Sequence, residues 1–234
     1  MAAPPANSRC TNVKQDGSTC QEPLDADHPV DCPCGPLRTR RHNDLAENCA
    51  DFIEEAGGLS RLEVYVPEMS TRPATERSTK CKGEAWLDVW GYGVCEYPDI
   101  LLDVRVAHPH AARYRTKAST VAGHAAAVGE QEKHDRYPRT QGRDVIPVIF
   151  ETWGHLGAEG EAFLSNLAAS ARRRAHRRGR DSTATLSRWR EKLDGTLHKA
   201  VAIQLAAARH GLPGKRPYRR APVDLAGLEA SAVV

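Results

Sequence analysis

Apolar residues recur along this chain with two periods, and the change from one to the other marks out the elements. In "RRHNDLAENCADFIEEAGG", Leu45, Cys49, Phe52, Ile53 and Ala56 fall at helical spacing, and Gly57-Gly58 supplies the stop. The run "LEVYV" at 62–66 alternates as a strand does. Residues 67–83 are polar and predict a loop or flap. Two further strand-like runs, 84–90 and 99–106, are separated by "GYGVCEYP", rich in turn formers. An Ala-rich stretch from Thr116 to Arg136 predicts one long helix, and "RDVIPVIFET" predicts the next strand. Helices over 158–177 and 183–210 precede a Pro- and Arg-rich tail. The order helix, strand, strand, strand, helix, strand is that of a mixed α/β domain, without internal repeats.

Composition narrows this picture. Of the 234 residues 27% are charged, and few are aromatic, which suits a modest α/β core with Ala-rich helices. The expectation is an intracellular protein. No run of about 18 apolar residues occurs, and "MAAPPANSRC" has no apolar leader, so neither a membrane span nor a secretion signal is expected. The net charge of +3 is unevenly spread, with dense cationic blocks at 172–180 ("RRRAHRRGR") and 215–220 ("KRPYRR"). Such blocks suit phosphate, including contacts from Arg172, Arg173 and Arg174; the alternative is a solvated helix end and a frayed tail.

Of seven cysteines, four crowd into the first 34 residues: Cys10, Cys20, Cys32 and Cys34, with His28 among them. In a reducing compartment this argues against a disulfide framework. Cys10, Cys20, His28 and Cys32 offer three thiolates and an imidazole, a soft tetrahedral set suited to Zn²⁺, with Cys34 a rival for the fourth place. The segment is too poor in apolar residues to fold without such a clip, whose binding energy would be folding energy. The alternative is a group of reduced surface thiols.

Strand geometry decides which carboxylates can work together. A strand advances about 3.3 Å per residue, so Asp99 and Asp103 in "YPDILLDVRV" stand roughly 13 Å apart, too far to share one ion with oxygen ligands near 2.1 Å. Alternation puts Ile100, Leu102, Val104 and Val106 on one side, and Leu101, Asp103 and Arg105 on the other. In "EAWLDVW", Trp86, Asp88 and Trp90 share a side, opposite Leu87 and Val89. A hairpin closing through 92–98 would bring Asp88 opposite Asp103, with Cβ atoms about 5 Å apart. Two carboxylates so placed repel unless a cation lies between them, which favours Mg²⁺ or Mn²⁺; the alternative is a pair of exposed strand-edge residues. On the following helix Glu130, Lys133 and Tyr137 share a face, an arrangement that also fits an ion-paired solvent surface.

Taken in order, these motifs resemble a known family. Leu24-Asp25, His28-x3-Cys32 and Arg40-Arg41-His42-Asn43 precede the Asp88 strand, followed by Leu102-Asp103-Val104-Arg105-Val106 with His108-Pro109, then Glu130 and Lys133, and finally Pro147-Val148-Ile149-Phe150-Glu151-Thr152-Trp153-Gly154. This series, over roughly residues 10–170, resembles the region downstream of the reverse transcriptase in non-LTR retrotransposons, where a Cys/His zinc motif adjoins a restriction-like PD-(D/E)xK endonuclease. The resemblance implies a restriction-endonuclease-like mixed sheet flanked by helices over 41–170, a zinc segment over 1–40 and a basic helical extension over 171–234. It gives Asp88 and Asp103 the roles of first and second acid, with the Val104 carbonyl near the metal. Arg105 fills the lysine position, and a guanidinium cannot serve as base. Lys133 is the replacement, Glu130 a further acid and Tyr137 a phosphate contact; Arg40, Arg41 and His42 would be structural or face DNA, and Glu47 could add a carboxylate. The implied activity is DNA nicking that leaves a 3′-hydroxyl, in the nucleus, with Mg²⁺ or Mn²⁺ at the site and structural Zn²⁺. DNA, element RNA and a reverse transcriptase in cis or in trans are the implied partners. Without polymerase residues the chain is expected to be a fragment, a degenerate copy or a domesticated tail of such an element. A catalytically inactive nucleic-acid-binding relic is the alternative.

Overall fold

Four strands form where alternation predicts them: β1 (Leu59–Tyr65), β2 (Trp86–Tyr92), β3 (Asp99–Ala107) and β4 (Val145–Glu151). They lie side by side in the order β4-β3-β2-β1. The first two connections are antiparallel and β3–β4 is parallel, so the sheet is mixed. A two-residue strand, β5 (Val223–Asp224), pairs with the outer edge of β1. These elements come from a computed structural model that describes residues 8–14, 16–25, 27–70, 83–94, 99–137, 144–179, 185–210 and 223–224. Most of the expected flap, together with Cys81, Cys95, Pro98 and the cationic block at 215–220, lies outside the described residues.

The helices are α1 (His28–Asp31), α2 (Leu37–Glu55), α3 (Arg115–Ala118), α4 (His124–Arg136), α5 (Ala158–Arg177) and α6 (Thr185–His210). Because β3 and β4 are parallel, the chain must cross over between them, and α3 and α4 are that crossover. The single helix expected over 116–136 is thus two. Gly123, at φ +74°, takes a left-handed conformation just before α4 begins.

Each face of the sheet has its own cover. Ile100, Leu102, Val104, Val148 and Phe150 pack with Leu45, Phe52 and Ile53 of α2, Phe163, Leu164 and Leu167 of α5, and Trp189, Leu193 and Leu197 of α6. Phe52 and Trp189 stack with ring centres 4.7 Å apart. The C-terminal helices therefore belong to the core: the boundary expected at 170–171 falls inside α5, and the buried stripe of α6 closes the same cluster. On the opposite face, Ala125 and Ala126 of α4 sit on Ile149 and Ala107. Small side chains there let α4 lie close to the strands; a Cβ on Gly129 would come within 2.9 Å of Ile149.

The alternation expected for β2 fails at one point. Val89 joins the cluster under α2 whereas Leu87 joins a second cluster, with Leu101, Val145 and Tyr137. Directly across from Asp88, between the pairs Leu62↔Val89 and Val64↔Leu87, Glu63 of β1 has φ +53°. A left-handed residue inside a strand breaks the two-residue alternation, and Leu62 and Val64 accordingly also join different clusters. Among the described residues, no helix is long and apolar enough to cross a membrane.

Candidate active site and metal cluster

The β2–β3 ladder runs from Tyr92↔Asp99 to Val89↔Leu102, so one further step along it leads to Asp88 and Asp103. At that step the Asp88 side chain intervenes, and its Oδ2 accepts the Val104 N–H at 2.6 Å. Its other oxygen, Oδ1, lies 2.9 Å from His42 Nε2 on α2. Asp103 is buried and its Oδ1 is 2.7 Å from Lys133 Nζ of α4. Asp88, Asp103, Lys133 and His42 thus meet at the point where the sheet is kinked, with Tyr137 buried beside Asp103.

The electrostatics of this group are those of crowded carboxylates. Burial, and then the charge of Asp88, push the Asp103 carboxyl above its ordinary value, although Lys133 and Tyr137 pull it the other way. Burial also opposes ionisation of Asp88, but the charge and hydrogen bond of His42, with the Val104 N–H, bring it below the usual carboxylate range. For His42, burial disfavours the imidazolium and the Asp88 charge outweighs it, so its value rises. Burial followed by the Asp103 charge keeps the Tyr137 phenol protonated. A small cavity beside this group is lined by His42, Asn43, Ala46, Glu47, Leu62, Glu63 and Asp88. Glu47 therefore lies on the Asp88 side, and Glu63, which the sequence reading missed, joins it; only the spacing of 42, 43, 46 and 47 on one helical face signals that cavity.

Several expected site residues are committed elsewhere. Arg105 does share the Asp103 face, but its guanidinium pairs with Glu132 of α4 at 2.5 Å and donates to the Tyr114 hydroxyl at 3.1 Å. Glu130, expected as a catalytic acid, accepts the Glu159 N–H at the start of α5 through Oε1, and burial raises its carboxyl. Lys133, three residues on, leaves the helix toward Asp103. Arg41, expected to face nucleic acid, is buried; it donates to Val30 O and to Gln204 Oε1, and burial followed by the Arg38 charge lowers it to about 10. Arg174 donates to Gly57 O at 2.6 Å and so ties α5 to the end of α2. Arg40, half-exposed, lies 3.9 Å from Asp44, and Arg172 and Arg173 are exposed. Tyr137 is too buried to reach a phosphate without rearrangement.

The N-terminal segment gathers a second constellation. Cys10, Cys20, His28 and Cys32 have their ligand atoms all within 4.8 Å of one another, a group that can hold a metal ion such as zinc. Cys10 Sγ and Cys20 Sγ each lie 3.8 Å from Cys32 Sγ, and Cys20 Sγ lies 3.4 Å from His28 Nε2. Tetrahedral zinc with Zn–S near 2.3 Å and Zn–N near 2.05 Å separates its ligands by about 3.8 Å (S to S) and about 3.6 Å (S to N), so the donor set fits. Cys34, the rival, lies outside this group of four, although its thiol still interacts with Cys20 and Cys32. Burial raises the Cys10 thiol to about 12 and the Cys34 thiol to about 11. Burial disfavours the Cys20 thiolate as well, but the Glu22 main chain and the neighbouring thiols bring it below its ordinary value. Comparison of the sequence with protein-family models and with curated proteins gives no match.

Proposed function

We propose that the protein is a metal-dependent DNA endonuclease, derived from the restriction-like region of a non-LTR retrotransposon protein, that nicks one strand and acts in the nucleus. The observation that carries this reading is the meeting of Asp88, Asp103 and Lys133 at one kinked step of the sheet, two acids and an amine from β2, β3 and α4. The order of sequence motifs from Arg40 to Gly154 supports it. Asp103 is an acid whose charged form is disfavoured beside Asp88, and a divalent cation between the two carboxylates would relieve that repulsion. Mg²⁺ or Mn²⁺ held there would neutralise phosphate charge and make a bound water more acidic. His42 holds Asp88 through Oδ1, and the Val104 N–H holds it through Oδ2, which fixes the carboxylate plane. Lys133, released from Asp103 once that charge is shared, can offset charge growing on the phosphoryl oxygens. In the hydrolysis the water oxygen forms a new P–O bond, the P–O3′ bond breaks, and O3′ leaves as a protonated hydroxyl. That hydroxyl can prime reverse transcription on element RNA by a polymerase in cis or in trans. Zinc at Cys10, Cys20, His28 and Cys32 would hold the N-terminal segment, and the exposed Arg172 and Arg173 suit the DNA backbone.

The test is nicking of supercoiled DNA in Mn²⁺ or Mg²⁺ by the wild type and by Asp103→Ala. The expected loss is on the order of a hundredfold or more. A wild type that never nicks, or a variant that nicks as well as the wild type, overturns the proposal. A second reading, a catalytically inactive nucleic-acid-binding protein, is favoured by Arg105 standing at the lysine position and being held by Glu132 and Tyr114. Salt-dependent DNA binding without nicking is the result it requires.

A further inference from the structure

Away from these two sites, Asp27 ahead of α1 approaches two histidines that follow β3, His108 and His110. His108 is buried, with 4% of its side chain exposed. Its tautomer follows from its neighbours. Thr152 Oγ1 donates to Ala107 O at 3.2 Å, so the same hydroxyl oxygen, 3.3 Å from His108 Nδ1, accepts the ring proton. Nε2 is then left as a bare lone pair, buried and without a hydrogen-bond partner. Asp27 Oδ1 lies 3.3 Å from that nitrogen yet makes no hydrogen bond with it. A buried lone pair without a donor, facing the oxygen of a partly exposed carboxylate, is unfavourable unless a cation joins them.

A third donor completes the group. His110 Nδ1 is hydrogen-bonded to Asp27 Oδ1 at 2.8 Å, a contact that a bound ion would replace, and the ligand atoms of all three residues lie within 4.8 Å of one another. A tetrahedral ion with N and O ligands near 2.05 Å spaces them by about 3.3 Å, and turns each lone pair about 35° away from the line between two ligands. The His108–Asp27 pair has that spacing, and an off-axis lone pair accounts for the missing hydrogen bond. The indole of Trp153 closes one side, with ring centres 6.0 Å from His108 and 6.1 Å from His110. His110 and Asp27 are partly exposed, which leaves a side open to water as fourth ligand.

We propose that Asp27, His108 and His110 bind a second divalent transition-metal ion, Zn²⁺ first among the candidates, separate from the Cys/His cluster. A carboxylate with two imidazoles and no sulfur is a borderline donor set that suits Zn²⁺. Because Asp27 adjoins His28, the ion straps the N-terminal segment to the ends of β3 and β4, beside the loop carrying Thr152 and Trp153.

The test uses the full chain without an affinity tag, loaded with Zn²⁺, desalted and assayed for metal by mass spectrometry. Two equivalents are expected in the wild type and one in His110→Ala, a change at a half-exposed side chain that leaves the core intact. Asp27→Asn should also hold one. Cobalt substitution reads the other site independently, because thiolate-to-cobalt absorption belongs only to the cysteine cluster and should be unchanged in His110→Ala. One equivalent in the wild type overturns the proposal, as do two equivalents kept by both variants. Loss of the thiolate bands from His110→Ala overturns it as well, since the sites would not then be separate.

Discussion

On the proposed function, Asp103 is a side chain that serves chemistry at the expense of stability. Burial, and then the Asp88 charge, hold its folded-state value above that of the unfolded chain. The folded state therefore binds this proton more tightly. The stability contribution is complete below the unfolded value and is lost as pH rises through the folded value. At neutral pH in chelator, ionised Asp103 is then a burden on the fold. Asp103→Asn keeps an oxygen for Lys133 and removes the charge, so its melting temperature in chelator should exceed that of the wild type, by about 2–4 °C for each kcal/mol relieved, while nicking is lost. An unchanged or lower melting temperature, measured by scanning calorimetry at pH 7, would contradict the account of strained charge. The alternation of "ILLDVRV" made the Asp103 face readable in advance, and hairpin register pointed to Asp88. The kink was not readable, because nothing in the residue type of Glu63 announces a left-handed conformation.

At the scale of elements, the carboxylates around α4 divide between the proposed site, where Asp103 pairs with Lys133, and the capping of helices. Glu151, at the end of β4, accepts the N–H groups of Ala125 and Ala126 through Oε1 and satisfies donors that the first turn of α4 would otherwise leave unpaired. Glu130 does the same for the Glu159 N–H at the start of α5, where negative charge also suits the helix dipole. A sequence pattern gives the face of a helix but not which carboxylate reaches the end of a neighbouring helix, which is why Glu130 reads as catalytic and is found as a cap. The same limit explains Arg174, whose place in a cationic run suggests DNA but whose guanidinium holds the Gly57 carbonyl. Glu130→Ala is expected to cost about 1–2 kcal/mol of stability, the usual worth of a helix cap. Well below its melting temperature the variant should nick within about twofold of wild type, since Lys133 and Asp103 are untouched. A loss approaching that of Asp103→Ala, at a temperature where circular dichroism shows the variant folded, would return Glu130 to the active site.

For the whole molecule, the Cys/His cluster does more than close its own loop. Cys10, Cys20 and Cys32 pack against Ala208 near the end of α6, and Thr11 binds the same end through its N–H to Ala208 O at 3.1 Å and its hydroxyl to Ala208 O at 3.0 Å. Gln204 of α6 receives Arg41 of α2 at 2.9 Å and reaches Val30 O of α1 at 3.4 Å. The first and last described helical segments are therefore joined through a group with little apolar surface of its own. The sheet depends on a different cluster, centred on Phe52, Phe163, Leu167 and Trp189. Removing the metal should consequently produce local rather than global unfolding, since a ligand contributes stability only to the structure that binds it. Hydrogen exchange followed by mass spectrometry, with and without a strong zinc chelator, is the measurement. Faster exchange is expected over 8–34 and the last two turns of α6, with β2, β3 and β4 still protected. Cys32→Ser should exchange faster than the metal-loaded wild type around the cluster and at the end of α6 without any chelator, whereas Cys34→Ser should match the metal-loaded wild type, because Cys34 stands outside the four-ligand group. If chelation instead accelerates exchange across the strands to the same degree, the cluster is part of the global folding unit and the strap is not a separable element.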